Sequence, residues 1–104
     1  MAHTITIQYL PDCPNRALAE ARVETALQHL GASRPTVTLQ EIHDETEATQ
    51  VGFHGSPTIL IDGVDPFAGQ SPSVGFACRI YPADGHTDGA PTVEQLLAAI
   101  ATGN

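Results

Sequence analysis

The chain reads as a single α/β domain, and three observations predict it. Strand-period and helix-period segments alternate along the sequence, the apolar residues are mostly aliphatic, and 104 residues suffice for one core but not for a second domain. Hydrophobic residues make up 41% of the chain, with no Trp and only 5% aromatics, so Ile, Leu, Val and Ala must build the core. Ile5, Ile7 and Tyr9 alternate with Thr4, Thr6 and Gln8, the period of a strand with one better-buried face. From about residue 14 to residue 30, Leu18, Ala19, Val23, Ala26, Leu27 and Leu30 recur at helical spacing, and Gly31 follows as a stop. Past Pro35, residues 36–42 alternate again and predict a second half-buried strand with Val37 and Leu39 inward. Asp44 and Glu47 have the spacing of an acidic capping box and open a short helix that Gly52 ends. The apolar run of residues 58–61, closed by Asp62-Gly63, is the type expected of a central strand buried on both faces. A Gly-, Pro- and Ser-rich stretch over residues 64–75 precedes a strand around residues 78–81. A polar turn with Asp84-Gly85 and Asp88-Gly89 comes next. The last helix is capped by Thr92 with Gln95 three residues on, and carries Val93, Leu96, Leu97 and Ile100. The tally is four strands and three helices, in the order β-α-β-α-β-β-α.

Charge narrows the partners. Lys and Arg total 4 against 12 Asp and Glu, a formal charge of −8 that repels phosphate backbones and anionic membranes, so neither nucleic acid nor membrane is an expected partner. The start, Met1-Ala2-His3-Thr4, lacks a basic segment leading into an apolar one, and no run is long enough to cross a bilayer. The expected location is the cytoplasm. In that reducing setting two cysteines point to reactivity or metal binding rather than to a structural disulfide.

The stretch from Tyr9 to Arg16 carries the chemistry, because it sets Cys13 between the first strand and the first helix. Proline suits the first helical position, where its missing N–H would have had no partner, so Pro14 makes Cys13 the expected N-cap. Free amide groups and the positive end of the helix dipole would then favour the thiolate and supply a nucleophile near neutral pH.

With Asp12-Cys13-Pro14-Asn15-Arg16 at the mouth of helix one and Gly55-Ser56-Pro57-Thr58 just before the third strand, the chain resembles the thioredoxin-fold superfamily over nearly its whole length. The resemblance implies a thioredoxin-like α/β fold, a central four-stranded mixed sheet flanked by about three helices. It also implies a cis Pro57 whose loop lies against Cys13, and a substrate-facing set of Pro14, Asn15, Ser56, Pro57 and His54. One departure matters: Arg16 stands where a dithiol oxidoreductase has its second cysteine, the sulfur that attacks the mixed disulfide and releases substrate. Arg16 either favours the Cys13 thiolate as a nearby cation or pairs with Glu20 on the helix surface.

Residues 9–15, 52–58, Asp65-Pro66-Phe67 and 77–81 together resemble a narrower group of small bacterial thioredoxin-like proteins, frequently labelled alkylmercury-lyase-like, some with selenocysteine in place of the first cysteine. That resemblance implies redox or soft-metal chemistry at Cys13. Cleavage of a carbon–mercury bond needs two thiolates and a proton donor, for which Cys13, Cys78 and Asp12 are the candidates. Cys78 is either a distal resolving thiol or second soft-metal ligand, or an inward residue of a strand. A disulfide between the two would need Cα atoms within about 7 Å.

Among the five histidines, His54 stands out for preceding the Pro57 loop, where an imidazole would supply a proton or steady the thiolate; proximity alone does not make it a base. No zinc spacing, calcium loop or phosphate-binding glycine motif is present, and no cofactor is expected. The expected activity is thiol–disulfide exchange or peroxide/sulfenate cycling at Cys13, regenerated by Cys78 or by an external protein or low-molecular-weight thiol. Two alternatives stay open: binding of a thiophilic metal such as mercury, and a non-catalytic thioredoxin-like module that binds a partner or an extended peptide.

Overall fold

The computed structural model describes residues 4–31, 35–67, 81–83 and 86–102. The elements within them are β1 (Thr4–Tyr9), α1 (Arg16–Gln28), β2 (Thr36–Glu41), α2 (Glu45–Val51), β3 (Thr58–Ile61), β4 (Tyr81–Ala83), β5 (His86–Asp88) and α3 (Val93–Thr102). They form an α/β structure of three helices, a three-stranded mixed sheet and a two-stranded ribbon.

The sheet order is β2-β1-β3, with β2 parallel and β3 antiparallel to β1. Among the described residues β1 has neighbours on both sides, and Thr58, Ile59 and Ile61 of β3 are buried, as expected of a strand covered on both faces. The segment of α1 returns the chain to run parallel beside β1, and α2 carries it to the opposite side. The thiol expected in a strand at 78–81, Cys78, lies outside the described residues, as do positions 79 and 80. Tyr81 opens β4, which pairs antiparallel with β5. Part of the expected polar turn at 84–89 is thus a strand, since Asp88 pairs opposite Tyr81.

Alternation decides what each strand buries. Ile5 and Ile7 are fully buried and join Ala19, Val23, Ala26 and Leu27 of α1, Ile59 and Ile61 of β3, and Leu96 and Ile100 of α3 in the main core. Thr6 and Gln8 point to the other face, where Gln8 is buried as well, donating from its Nε2 to Gln40 Oε1 at 3.0 Å. That bond satisfies an amide whose burial alone would be costly. A second, smaller cluster of Ile42, Ala48 and Phe53 with Leu10 packed against it seats α2.

The aliphatic face of β2 departs from expectation. Val37 and Leu39 lie in register with the buried Ile5 and Ile7, yet are 38% and 42% exposed. Among the described residues β2 has a neighbouring strand on one side only, and α1 leaves an open groove beside Val37 and Leu39.

Local signals fix the helix ends. Asp44 Oδ1 accepts from Glu47 N at 2.8 Å, and Gly52 closes α2 in the left-handed region at φ 67°. Thr92 and Gln95 form a complete capping box: Thr92 N donates to Gln95 Oε1 at 2.9 Å and Gln95 N to Thr92 Oγ1 at 3.1 Å. Asp62 and Gly63, both at positive φ, make the tight turn after β3, and Asp62 Oδ1 accepts from Thr4 N at 2.9 Å. The chain before α3 is clamped to α1 by Arg22, whose Nη1 donates to Ala90 O at 3.0 Å and whose Nη2 meets Asp88 Oδ2 at 3.0 Å.

Candidate functional site around Cys13

Two successive tight turns join β1 to α1. Cys13 N donates to Leu10 O at 3.1 Å, and Arg16 N donates to Cys13 O at 3.4 Å. The first α-helical bond runs from Ala19 N to Asn15 O at 3.0 Å, so Asn15 and not Cys13 is the N-cap. This corrects the expected start by two residues. Pro14 has no N–H, and the Cys13 carbonyl is taken by a turn bond, so Pro14 and Asn15 sit in a turn ahead of the helix rather than in its first turn. The Asn15 side chain makes no capping bond. It lies instead against Gly89, where a Cβ would stand 2.4 Å from Asn15 Cγ.

Cys13 is a free thiol, half-buried, while Pro11, Asp12 and Pro14 around it are exposed. The turn that carries it is held from beneath. Leu10 packs on the α2 cluster, Ile42 N donates to Tyr9 O at 2.8 Å, and Leu10 N donates to Ser56 Oγ at 3.0 Å. The Ser56 hydroxyl and the Cys13 amide are therefore bonded to the two backbone groups of one residue, Leu10.

The loop behind Ser56 is itself fixed. Gly55, Ser56, Pro57 and Thr58 are all buried, and the Ser56–Pro57 peptide bond is cis, as expected. Gly55 takes φ 108°, which favours glycine. The Thr58 hydroxyl donates to Gly55 O, and the Tyr81 hydroxyl donates to Pro57 O. Tyr81 is buried and meets Phe67 edge to face, with ring centroids 5.6 Å apart. A hydroxyl 24 residues downstream of Pro57 gives no signal in the sequence, so this support for the loop was not legible there.

Arg16 is engaged by Glu20 and Tyr9. Its Nε donates to Glu20 Oε2 at 3.1 Å, and its guanidinium lies 4.6 Å from the centroid of the Tyr9 ring. The pairing with Glu20 was one of the two sequence readings, whereas stacking on Tyr9 was not anticipated. His54 is half-buried and precedes Gly55.

The site therefore unites Cys13, its turn and the Ser56-Pro57 loop, with Asn15 turned toward Gly89 and Cys78 outside the described residues. Among the described residues its chemical means are one half-buried free cysteine on a turn whose backbone is bonded on both sides. Among the described residues no three His, Cys, Asp or Glu side chains gather as a metal site. No described helix is long and apolar enough to cross a membrane. In comparisons with known proteins, no family model matches the chain, and neither a curated protein nor a solved structure does.

Proposed function

We propose that the protein is a thioredoxin-like thiol redox protein in which Cys13 is the reactive thiolate. The observation that carries this reading is the half-buried free cysteine Cys13 on a turn hydrogen-bonded through Leu10 to the buried Ser56-Pro57 loop. A nucleophile needs access on one side and a fixed backbone on the other, and that pairing supplies both. The mixed β2-β1-β3 sheet with helices after β1 and β2 supports the thioredoxin-like assignment, and the four-stranded sheet of that fold would need one further strand beside β3.

In exchange, the Cys13 thiolate attacks one sulfur of a disulfide; a Cys13 mixed disulfide forms and the other sulfur leaves as thiolate. Attack by an external thiolate on the substrate sulfur of that bond restores Cys13 and carries the substrate away as a new mixed disulfide. With a peroxide, Cys13 attacks one oxygen, the O–O bond breaks and the alcohol or water leaves. The resulting sulfenic acid condenses with one thiol, releasing water, and a second thiol restores Cys13 as the two external thiols become a disulfide. External regeneration is the proposed route, with Cys78 as resolving thiol the outcome that mass spectrometry of peroxide-treated protein would reveal as a Cys13–Cys78 bridge.

The test is the rate of alkylation. Below pH 8 Cys13 should react with iodoacetamide faster than Cys78 and faster than an unstructured cysteine peptide, and Cys13→Ser should remove the fast phase. The occupation of Arg16 by Glu20 and Tyr9 favours a second reading, a non-catalytic module, which predicts that Cys13 reacts no faster than the peptide. Stoichiometric mercuric-ion binding at Cys13 without disulfide reduction would instead favour metal capture.

A further inference from the structure

The ladder between β1 and β3 ends on a side chain. Its antiparallel register runs from Ile5 opposite Ile61 to Gln8 opposite Thr58; carried one residue back it sets Thr4 opposite Asp62, and carried two residues on it sets Leu10 opposite Ser56. Asp62 N donates to Thr4 O at 2.9 Å, so the pairs that exchange hydrogen bonds are those of the even-numbered β1 residues, and Leu10 with Ser56 is the next of them after Gln8. A backbone ladder would have Leu10 N donate to Ser56 O. It donates instead to Ser56 Oγ, at 3.0 Å. The other end of the ladder has the same device, Thr4 N donating to Asp62 Oδ1 at 2.9 Å, and there it closes a turn. At the Ser56 end the chain runs on to the thiol, because the carbonyl of the same Leu10 accepts from Cys13 N at 3.1 Å. Ser56 is fully buried, and the next carbonyl along, that of Pro57, accepts from the buried Tyr81 hydroxyl.

We propose that Ser56 is a positioning residue for Cys13: its hydroxyl supplies the last rung of the β1-β3 ladder, and Tyr81 keeps that hydroxyl at its rung by holding the neighbouring Pro57 carbonyl. The proposal rests on the reading of Cys13 as a reactive thiol. Two bonds in series, Leu10 N to the Ser56 hydroxyl and Cys13 N to Leu10 O, fix where the turn between β1 and α1 leaves the sheet. Without the hydroxyl, Leu10 N loses its acceptor. The chain is then still tied through Ile42 N, which donates to Tyr9 O at 2.8 Å, but one residue earlier and on the β2 side. The released turn lets Cys13 sample more positions, and a nucleophile so freed loses the advantage of a fixed approach to its electrophile.

The test is iodoacetamide alkylation of Cys13 in buffer without denaturant, followed by mass spectrometry from about pH 5 to about pH 9, together with amide hydrogen exchange. Ser56→Ala should slow alkylation of Cys13 several-fold and move its pH profile toward that of an unstructured cysteine peptide. Amide exchange should quicken at Leu10 and Cys13 and match the parent at Ile5 and Ile7, which separates release of the turn from loosening of the whole fold. Tyr81→Phe should act in the same direction, and the double variant should be no slower than Ser56→Ala, because both changes act at one rung. If Ser56→Ala does not fold, Tyr81→Phe is read by the same criteria. A parent that alkylates faster than the peptide, with Ser56→Ala matching it in rate and pH profile, overturns the proposal and leaves the redox reading standing. A parent no faster than the peptide refutes the redox reading and the proposal with it. Exchange that quickens at Ile5 and Ile7 as much as at Leu10 and Cys13 overturns the proposal in favour of a serine that serves stability alone, and losses that add in the double variant overturn the role given to Tyr81.

Discussion

Gly89 and Asn15 show how closely single residues are set around the start of α1. A Cβ on Gly89 would stand 2.4 to 2.6 Å from three atoms of the Asn15 side chain, inside any tolerable contact, while Gly89 itself is not at positive φ. Gly89→Ala should therefore destabilise through crowding, by about 1–3 kcal/mol, the usual range for overpacking. Asn15→Gly in the same chain should recover most of that loss, because the amide is the obstacle and makes no capping bond. Urea denaturation of the two single variants and the double variant measures the coupling; additive losses would show that Asn15 swings aside in the single variant. Tyr81 acts at the same scale, through the bond from its hydroxyl to the Pro57 carbonyl in a buried setting. Tyr81→Phe keeps the ring against Phe67 and removes only that donor, leaving a buried carbonyl with less hydrogen bonding, at an expected cost of about 1–3 kcal/mol. A urea midpoint equal to that of the parent would mean that water replaces the hydroxyl.

At the scale of elements, the helices differ in how their ends are held. Thr92 and Gln95 satisfy each other's backbone donors at the start of α3, whereas α1 starts without a side-chain cap. Thr92→Ala should cost about 1 kcal/mol and Thr92→Ser should recover it, because only the hydroxyl is needed. Equal midpoints for the alanine variant and the parent in urea would refute this. The same contrast explains what the sequence made legible. Capping boxes join residues three apart, so Asp44/Glu47 and Thr92/Gln95 could be read directly and the starts of α2 and α3 stand where expected. The start of α1 was misplaced because a proline after Cys13 is compatible both with a first helical turn and with the tight turn observed; backbone bonding, not residue type, decides between them. Val37 and Leu39 depart from expectation for a different reason. Alternation reveals that a strand has an apolar face, but its cover depends on sheet order, a matter of pairing between residues more than thirty positions apart. Of the candidate site, the cis bond at Ser56-Pro57 and the place of Cys13 between β1 and α1 were legible, whereas the contacts of Tyr9 and Tyr81 exist only after folding.

For the whole molecule, the dominant long-range force beyond the core is self-repulsion. Twelve acidic side chains face four basic ones, and among the described residues Arg16 and Arg22 are already committed to Glu20 and to Asp88. Compaction brings the excess carboxylates closer than they are in the unfolded chain, which destabilises the folded state when screening is weak. Raising sodium chloride from about 10 mM to about 150 mM shortens the screening length from about 30 Å to about 8 Å, comparable to distances within one domain. Both the repulsion and the ion pairs weaken, but the pairs of Arg16 and Arg22 are partly exposed, and such pairs contribute little. The urea midpoint at pH 7 should therefore rise over this range and level off above it. Chloride is the salt to use, since sulfate strengthens apolar burial by exclusion from the surface whatever the protein's charge. A midpoint that falls with added chloride would show that the ion pairs outweigh the repulsion. No change with chloride and a rise with sulfate would show that the net charge has no bearing on stability.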